Sequence, residues 1–379
     1  MKIKDLRKPF LRWAMSLPGD STWMGPPRLA PAKMVEVATD SKSEIPDLLP
    51  AHPAGRILRN RPARPLACAP HPAFDILSAF QTPTFLARIP RGRVLGPTVA
   101  VITAADRVLS DVSLDWGHPG LDHYAYRRLK LPRCREFRGN ALVLACTGSD
   151  TYFHWMTDAL PRLAIAAKAK GVTWNPDWWV VSDMDKSFVR ESLQLMGIPL
   201  SRVISLSRQP HVCFDQLWVP SLPCESSSGD PPPWVVDFLR STFLPRTEVA
   251  GMEWASRLWI DRSENTSRVY PLPPEQRQLL KKLGIRVVRP ETMSFRDQVC
   301  LFSRAAVCIG PHGAGFTNIL FSHRPILLEI FPPDRVNACY YSLSQCVDAQ
   351  YHYHVEAGTS LLSSTAREIH ETLLTWIRS

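Results

Sequence analysis

"CIGPHGAGFTNILF", residues 308–321, sets three glycines and one histidine between two apolar runs. Gly310, Gly313 and Gly315 follow "AAVCI" and precede "FTNILF", so the stretch reads as strand, glycine loop, helix. Glycine lets another molecule come close to the backbone, and the N–H groups and dipole of a following helix favour an anion there. The spacing G-x-x-G-x-G is not the G-x-G-x-x-G dinucleotide fingerprint, and no Gly-Lys-Ser/Thr follows to make it a P-loop. His312 can donate to a phosphate oxygen. A tight strand-to-helix turn with a surface histidine would use the same residues.

Outward from this loop the chain alternates. "RLWIDRS", "IRVVRP", "AAVCIG" and "ILLEIF" read as strands, with "PPEQRQLLKKLG" and "SFRDQVCLFSR" as helices between them and "STAREIHETLLTWI" as a terminal helix. Upstream, "NALVLACTGSD", "WWVVS" and "HVCFDQLWVP" read as strands, while "TYFHWMTDALPRLAIAAKAKG" and "KSFVRESLQLMGI", closed by Gly197, read as helices. Such alternation predicts parallel sheets covered by helices, an α/β fold. From about residue 83 to 114 the pattern differs, with short β-branched runs broken by Pro and Gly that read as strands. The reading divides the chain into a proline-rich basic arm (1–80), an α/β lobe opening with β-hairpins (81–223), a linker (224–233), and a second α/β lobe (234–379). Two such lobes imply a cleft, and α/β folds bind ligands outside the carboxyl ends of their strands.

Bulk properties narrow the class. Apolar content of 45% and charged content of 21% fit a globular protein. No apolar run approaches the ~18 residues of a membrane span, and the first 17 residues lack the apolar core and cleavage site of a signal peptide. Nine scattered cysteines without a C-x-x-C pair favour reduced thiols in a cytoplasmic protein. Net charge is +10, concentrated around Arg56, Arg59, Arg61 and Arg64 and again over 127–138. No nucleic-acid-binding module accompanies these runs, so a solvated basic face is expected; the basic N-terminal region is the candidate for peripheral membrane contact.

Several residues carry candidate chemistry. His154, Asp158 and Arg162 follow one another at i, i+4 and share a helical face; a carboxylate beside a histidine after a strand end can take a proton from an attacking hydroxyl. An ordinary Asp158–Arg162 helix pair is the plainer reading, and Pro161 should kink or bound the helix. Arg262, after "RLWI", and Arg268 could meet a diphosphate. Glu329, an acid inside "ILLEI", needs a partner such as a ribose or an arginine. Asp183 and Asp185 could hold a metal but fit better as a cap for the next helix. His352 and His354 could pair on a metal but, as strand neighbours on one face, need not. Asn265-Thr266-Ser267 matches a glycosylation acceptor, without the secretory signal that would give it meaning.

Taken together, "YFHWMTDALPRL", "RLWIDRSENTSR", "LGIRVVRPETMSFRDQVCLFSRAAVCIGPHGAGFTNILF" and "ILLEIFPP" resemble glycosyltransferase family 61 over roughly residues 83–335. The resemblance implies a GT-B-like enzyme, two Rossmann-type parallel-sheet lobes facing a cleft. It implies inverting transfer from a nucleotide sugar, usually UDP-linked, with no metal or further cofactor required, in capsule or exopolysaccharide biosynthesis. In "GPHGAGFTN", His312, Gly313, Ala314, Gly315, Thr317 and Asn318 would then hold the donor, with Arg262 adding charge to the diphosphate. His154 and Asp158 would face a glycan or lipid-linked acceptor, with Asp158 as base and His154 orienting it. Glu329 would bind the ribose by analogy with other GT-B enzymes. The family often has Ser where this chain has Asp261, and an Asn-Glu pair where it has "VYPLPP"; an acid next to Arg262 should weaken donor binding. A non-catalytic sugar-nucleotide or glycan-binding scaffold is the alternative from another class. A dinucleotide oxidoreductase ranks last for want of the fingerprint.

Overall fold

The computed structural model describes residues 11, 13–16, 22, 25–40, 44–75, 78–171, 174–224, 230–247, 255–264, 269–356, 371 and 375. The terminal helix expected near 364–377, Arg268 and the Asn265 acceptor lie outside the described residues, apart from 371 and 375. The chain divides into two compact units, one formed by Met1–Gly55 with Gln81–Glu225 and the other by Arg56–Phe80 with Ser226–Ser379. Each contains parallel strands flanked by helices, so the molecule is α/β as the alternation predicts.

In the first unit the parallel strands run in the order His211–Pro220, Arg135–Val143, Trp178–Val181 and Val203–Ser205. The β-branched and aromatic runs form the buried middle of this sheet: Val143, Val180, Phe214 and Leu217 are fully enclosed. The expected hairpins are present as Phe85–Pro90, Arg93–Leu95, Ala100–Ile102 and Arg107–Leu109, and the first two extend the sheet antiparallel along His211–Pro220. Part of the proline-rich segment joins them: Leu29–Ala32 pairs with Arg107–Leu109 and Asp47–Pro50 with Phe85–Pro90.

In the second unit six parallel strands run in the order Arg286–Val288, Arg257–Ile260, Val307–Pro311, Ile326–Phe331, Gln350–Val355 and Arg64–Pro65. Numbered along the chain from Arg257, the first five follow a 2-1-3-4-5 order, and the order reverses between Arg257–Ile260 and Val307–Pro311. Outside the carboxyl ends at such a reversal, open α/β sheets form a crevice. Arg64–Pro65 is the edge strand, a place where a missing proline N–H costs no ladder bond. Phe74 then stacks on Tyr353 at 4.1 Å, and Arg59 pairs with Asp230, reaches Ser342 at 2.6 Å and lies over the Tyr341 ring. Arg61 pairs with Asp348 at 3.3 Å, so part of this basic run serves internal contacts of the unit.

Two local expectations change. "FTNILF" lies in a 3₁₀ segment, Ala314–Phe321, instead of an α-helix. Pro233–Thr247, taken as linker at its start and otherwise unassigned, is a helix that buries Val235, Val236, Leu239 and Phe243.

Candidate functional site

The first cluster belongs to the first unit and follows the strand Arg135–Val143. After the turn Thr147–Gly148 the chain makes one helical turn, Tyr152–His154, then a π-helical turn, Trp155–Ala159, and resumes as the α-helix Arg162–Lys170 beyond Pro161. Pro161 lacks an N–H and cannot continue the preceding hydrogen-bond ladder, so the expected interruption is present; π-turns of this kind gather at functional sites. Trp155 is fully buried and donates from Nε1 to Ser192 Oγ at 2.9 Å, which anchors the turn. His154 and Asp158 are thereby brought together: Nδ1 of His154 donates to Oδ2 of Asp158 at 2.6 Å. The imidazole is the more accessible partner, 17% against 10% for the carboxylate side chain.

Arg162 does not complete an Asp158 pair. Its fully buried guanidinium donates to the carbonyls of Pro220, at 3.0 Å from Nε, and Ala145. Burial, with Cys146 and Asp158 opposing it, holds this guanidinium down to about 10. Arg162 thus ties the π-turn to the ends of two strands, a role hidden from sequence because both acceptors are main-chain oxygens. The neighbouring Gly148, at φ +78°, is bare for a steric reason: a Cβ there would lie 2.5 Å from Trp116 and 2.8 Å from His154.

The second cluster belongs to the second unit and lies at the strand-order reversal. Arg262 follows Arg257–Ile260 and the glycine loop follows Val307–Pro311, so both stand at carboxyl ends of adjacent strands. The glycines answer first to the protein itself. A Cβ on Gly310 would meet Ile260 O at 2.6 Å, one on Gly315 would meet Ile260 Cγ2 at 2.7 Å, and one on Gly313 would collide with the Arg262 guanidinium. The loop is bare so that Arg262 can lie against it, which puts the cation and the amide-rich loop side by side.

His312 sits in that loop with its N–H donating to Ile330 O at 2.8 Å and its ring stacked on Phe331. Its Nδ1 donates to Glu329 Oε1 at 2.5 Å, and Tyr351 donates its hydroxyl to Glu329 Oε2 at 2.5 Å. Glu329 is fully buried with both carboxylate oxygens engaged, so it orients His312 and presents nothing to a ribose. Burial and the adjacent Glu329 charge hold the Tyr351 hydroxyl well above its usual range, keeping it a donor. Tyr351 escaped the sequence reading, although it lies in the "YHYHV" strand whose histidines drew attention.

The rest of the predicted donor set divides. Asn318 is buried and donates to Gln298 Oε1 at 2.9 Å and to Gly315 O at 3.3 Å, so it braces the loop from behind. Thr317 is fully buried, and its hydroxyl has no hydrogen-bond partner among the described residues. Ala314 and Gly315 open the 3₁₀ segment, where the first N–H groups have no acceptor within the segment. Asp261, expected to oppose an anion, is buried and accepts from Ser263 N at 3.0 Å and Ser263 Oγ at 2.9 Å, with Arg277 at 3.4 Å. Its charge is therefore answered on its own side.

The weighed alternatives resolve into local structure. Asp183 accepts from Asp185 N at 2.9 Å and Ser207 Oγ at 3.0 Å, and Asp185 pairs with Arg208. The following helix begins at Ser187 behind Lys186, so neither aspartate is its cap. His354 Nδ1 bonds to Leu66 O at 2.9 Å and His352 stands opposite Arg64, both within the packing of the sheet. Among the described residues no group of three or more His, Cys, Asp or Glu side chains could hold a metal ion, and no helix is long and apolar enough to cross a membrane. Among the described residues the cysteines form no disulfide.

A family model described as Glycosyltransferase 61 matches residues 152–327, from the turn that carries His154 into the strand that carries Glu329. Over those residues the chain is similar to glycosyltransferase family 61. No curated protein matches the chain.

Proposed function

We propose that the protein is an inverting, metal-independent glycosyltransferase of GT-B type that moves a sugar from a UDP-sugar to a hydroxyl of a glycan acceptor. The observation that carries the donor half is the meeting, at the strand-order reversal of the second unit, of Arg262 with the Gly310–Gly315 loop, beside a histidine fixed by a buried glutamate. A cation, backbone amides and an oriented donor at that position suit a diphosphate.

In this reading the donor diphosphate contacts Arg262, His312 through Nε2, and the N–H groups that open Ala314–Phe321. Glu329 holds Nδ1 of His312, so Nε2 is the nitrogen left for the ligand. The acceptor hydroxyl attacks the anomeric carbon from the face opposite the diphosphate. The new C–O bond forms as the bond to the diphosphate oxygen breaks, and the electron pair leaves with UDP. The hydroxyl proton passes to His154. Because Nδ1 of His154 already donates to Asp158, Nε2 is the basic nitrogen, and the Asp158 carboxylate stabilises the imidazolium that forms. This exchanges the roles first read from sequence: His154 becomes the base and Asp158 its positioning partner. Charge developing on the diphosphate is met by fixed donors.

The resemblance to family 61 extends the proposal to capsule or exopolysaccharide assembly in the cytoplasm, with the basic N-terminal stretch as the candidate membrane contact and a lipid-linked glycan as one form of acceptor. Incubation with UDP-, GDP- and dTDP-sugars, with and without EDTA, tests it. Release of UDP alone, insensitive to EDTA, and a product of inverted anomeric configuration are expected. Absence of nucleotide release from every donor, with nucleotide binding retained, would instead favour a non-catalytic sugar-nucleotide scaffold.

A further inference from the structure

The Trp116 indole is 49% exposed, yet it lies against the His154 ring at 5.1 Å between centroids. The placement is also built. Thr147 Oγ1 donates to Leu114 O and, at 3.0 Å, to Thr98 O, which binds the Trp116 loop to the turn before His154. Asp115 accepts from Tyr124 N at 2.7 Å and closes the loop on its other side. Gly148 supplies the space in which the two rings meet, since a Cβ there would strike both.

Behind Trp116 lies a cavity of ≈ 170 Å³, lined in part by Ser110, Ser113, Asp115, His118 and His123. His123 is 3% exposed, and its Nδ1 accepts from Ala125 N at 3.1 Å. The ring proton of the neutral imidazole therefore sits on Nε2, an enclosed donor without an acceptor among the described residues. A flat, half-exposed indole face beside a cavity whose lining mixes apolar side chains with serine hydroxyls suits a sugar ring, apolar on its C–H face and rich in hydroxyls at its rim.

We infer that Trp116 is the stacking platform for a sugar ring of the acceptor. The inference rests on the transferase reading only for the word acceptor; carbohydrate binding at Trp116 is measurable without catalysis. Contact between the Trp116 and His154 rings would place a hydroxyl of the stacked sugar near the base.

The test is saturation-transfer NMR of methyl glycosides and short oligosaccharides with the full chain, comparing the wild type with Trp116→Ala and Trp116→Phe. Transfer to sugar ring protons in the wild type is expected, with affinity weakened about tenfold or more in Trp116→Ala and largely restored in Trp116→Phe. Gly148→Ala, which pushes the rings apart, should lose binding as Trp116→Ala does. Carbohydrate binding that is absent in the wild type, or equal in Trp116→Ala, overturns the inference. Nucleotide release from UDP-sugars, followed in parallel with the wild type, separates the two ideas. Trp116-dependent binding without release leaves the platform standing and removes the transferase. Release without such binding does the reverse.

Discussion

Two histidine–carboxylate pairs among the described residues, His154–Asp158 and His312–Glu329, have nearly the same length, and they differ in what surrounds that bond. His154 meets Asp158 within one interrupted helix, at 2.6 Å, with the imidazole partly open. His312 meets Glu329 across neighbouring strands, at 2.5 Å, with the carboxylate sealed and its second oxygen held by Tyr351. A local pair on an interrupted helix can follow its substrate and exchange a proton. A sealed pair fixed by a sheet and a third hydrogen bond fixes direction and donates. The contrast assigns proton transfer to the first and donor placement to the second.

The largest expected effect therefore falls on the open pair. His154→Ala should lower turnover by about 10²- to 10⁴-fold while UDP affinity stays within error, since the base acts on the acceptor. Asp158→Asn should lower turnover by up to about 10⁴-fold and by no more than His154→Ala does, because the amide no longer supplies charge and can hold His154 in the wrong tautomer. A larger loss in Asp158→Asn than in His154→Ala would restore Asp158 as the base. The sealed pair should respond in the other kinetic constant. Glu329→Gln is expected to raise the donor KM about tenfold, with a smaller change in kcat, as His312 loses its orientation. A pure kcat defect there would erase the distinction between the pairs.

The smallest effect concerns stability. Burial holds His352 down to about 4 and lowers His123 from the ordinary 6.5. Between those values the unfolded chain binds more protons than the folded one, so stability rises with pH across the window and is lost as pH falls from about 6.5 toward about 4. Melting temperature followed over that range should decline, and His352→Asn should flatten the slope. A decline unchanged by that substitution would remove His352 from the account.

The same contrast explains what the sequence made legible. The four-residue spacing of His154 and Asp158 is visible in "HWMTD", because helical geometry converts spacing into proximity. Glu329 and His312 are 17 residues apart, and only the register Gly310↔Glu329 brings their strands into place. An acid in the apolar "ILLEI" announced that a partner existed; it could not say which. The glycines were legible as positions of close approach, but the approaching groups proved to be Ile260 and Arg262, which sequence distance conceals. Alternation exposed the parallel strands. The short Arg64–Pro65 edge strand left no period to read, since two residues in a proline-rich run carry no pattern. Trp116 escaped for a related reason: its contact with His154 joins a loop to a helix 38 residues on, through the space left by Gly148.

The central claim is that Arg262, lying against Gly313, and the loop around His312 seat a diphosphate. Calorimetric titration of UDP into the wild type and into Arg262→Ala tests it most directly. Loss of a charge-assisted contact worth about 1.5–3 kcal/mol predicts roughly 10- to 100-fold weaker binding in the variant, with Gly313→Ala similar because its Cβ displaces the guanidinium. Equal affinity in the wild type and Arg262→Ala, or no UDP binding to the wild type, would contradict the account.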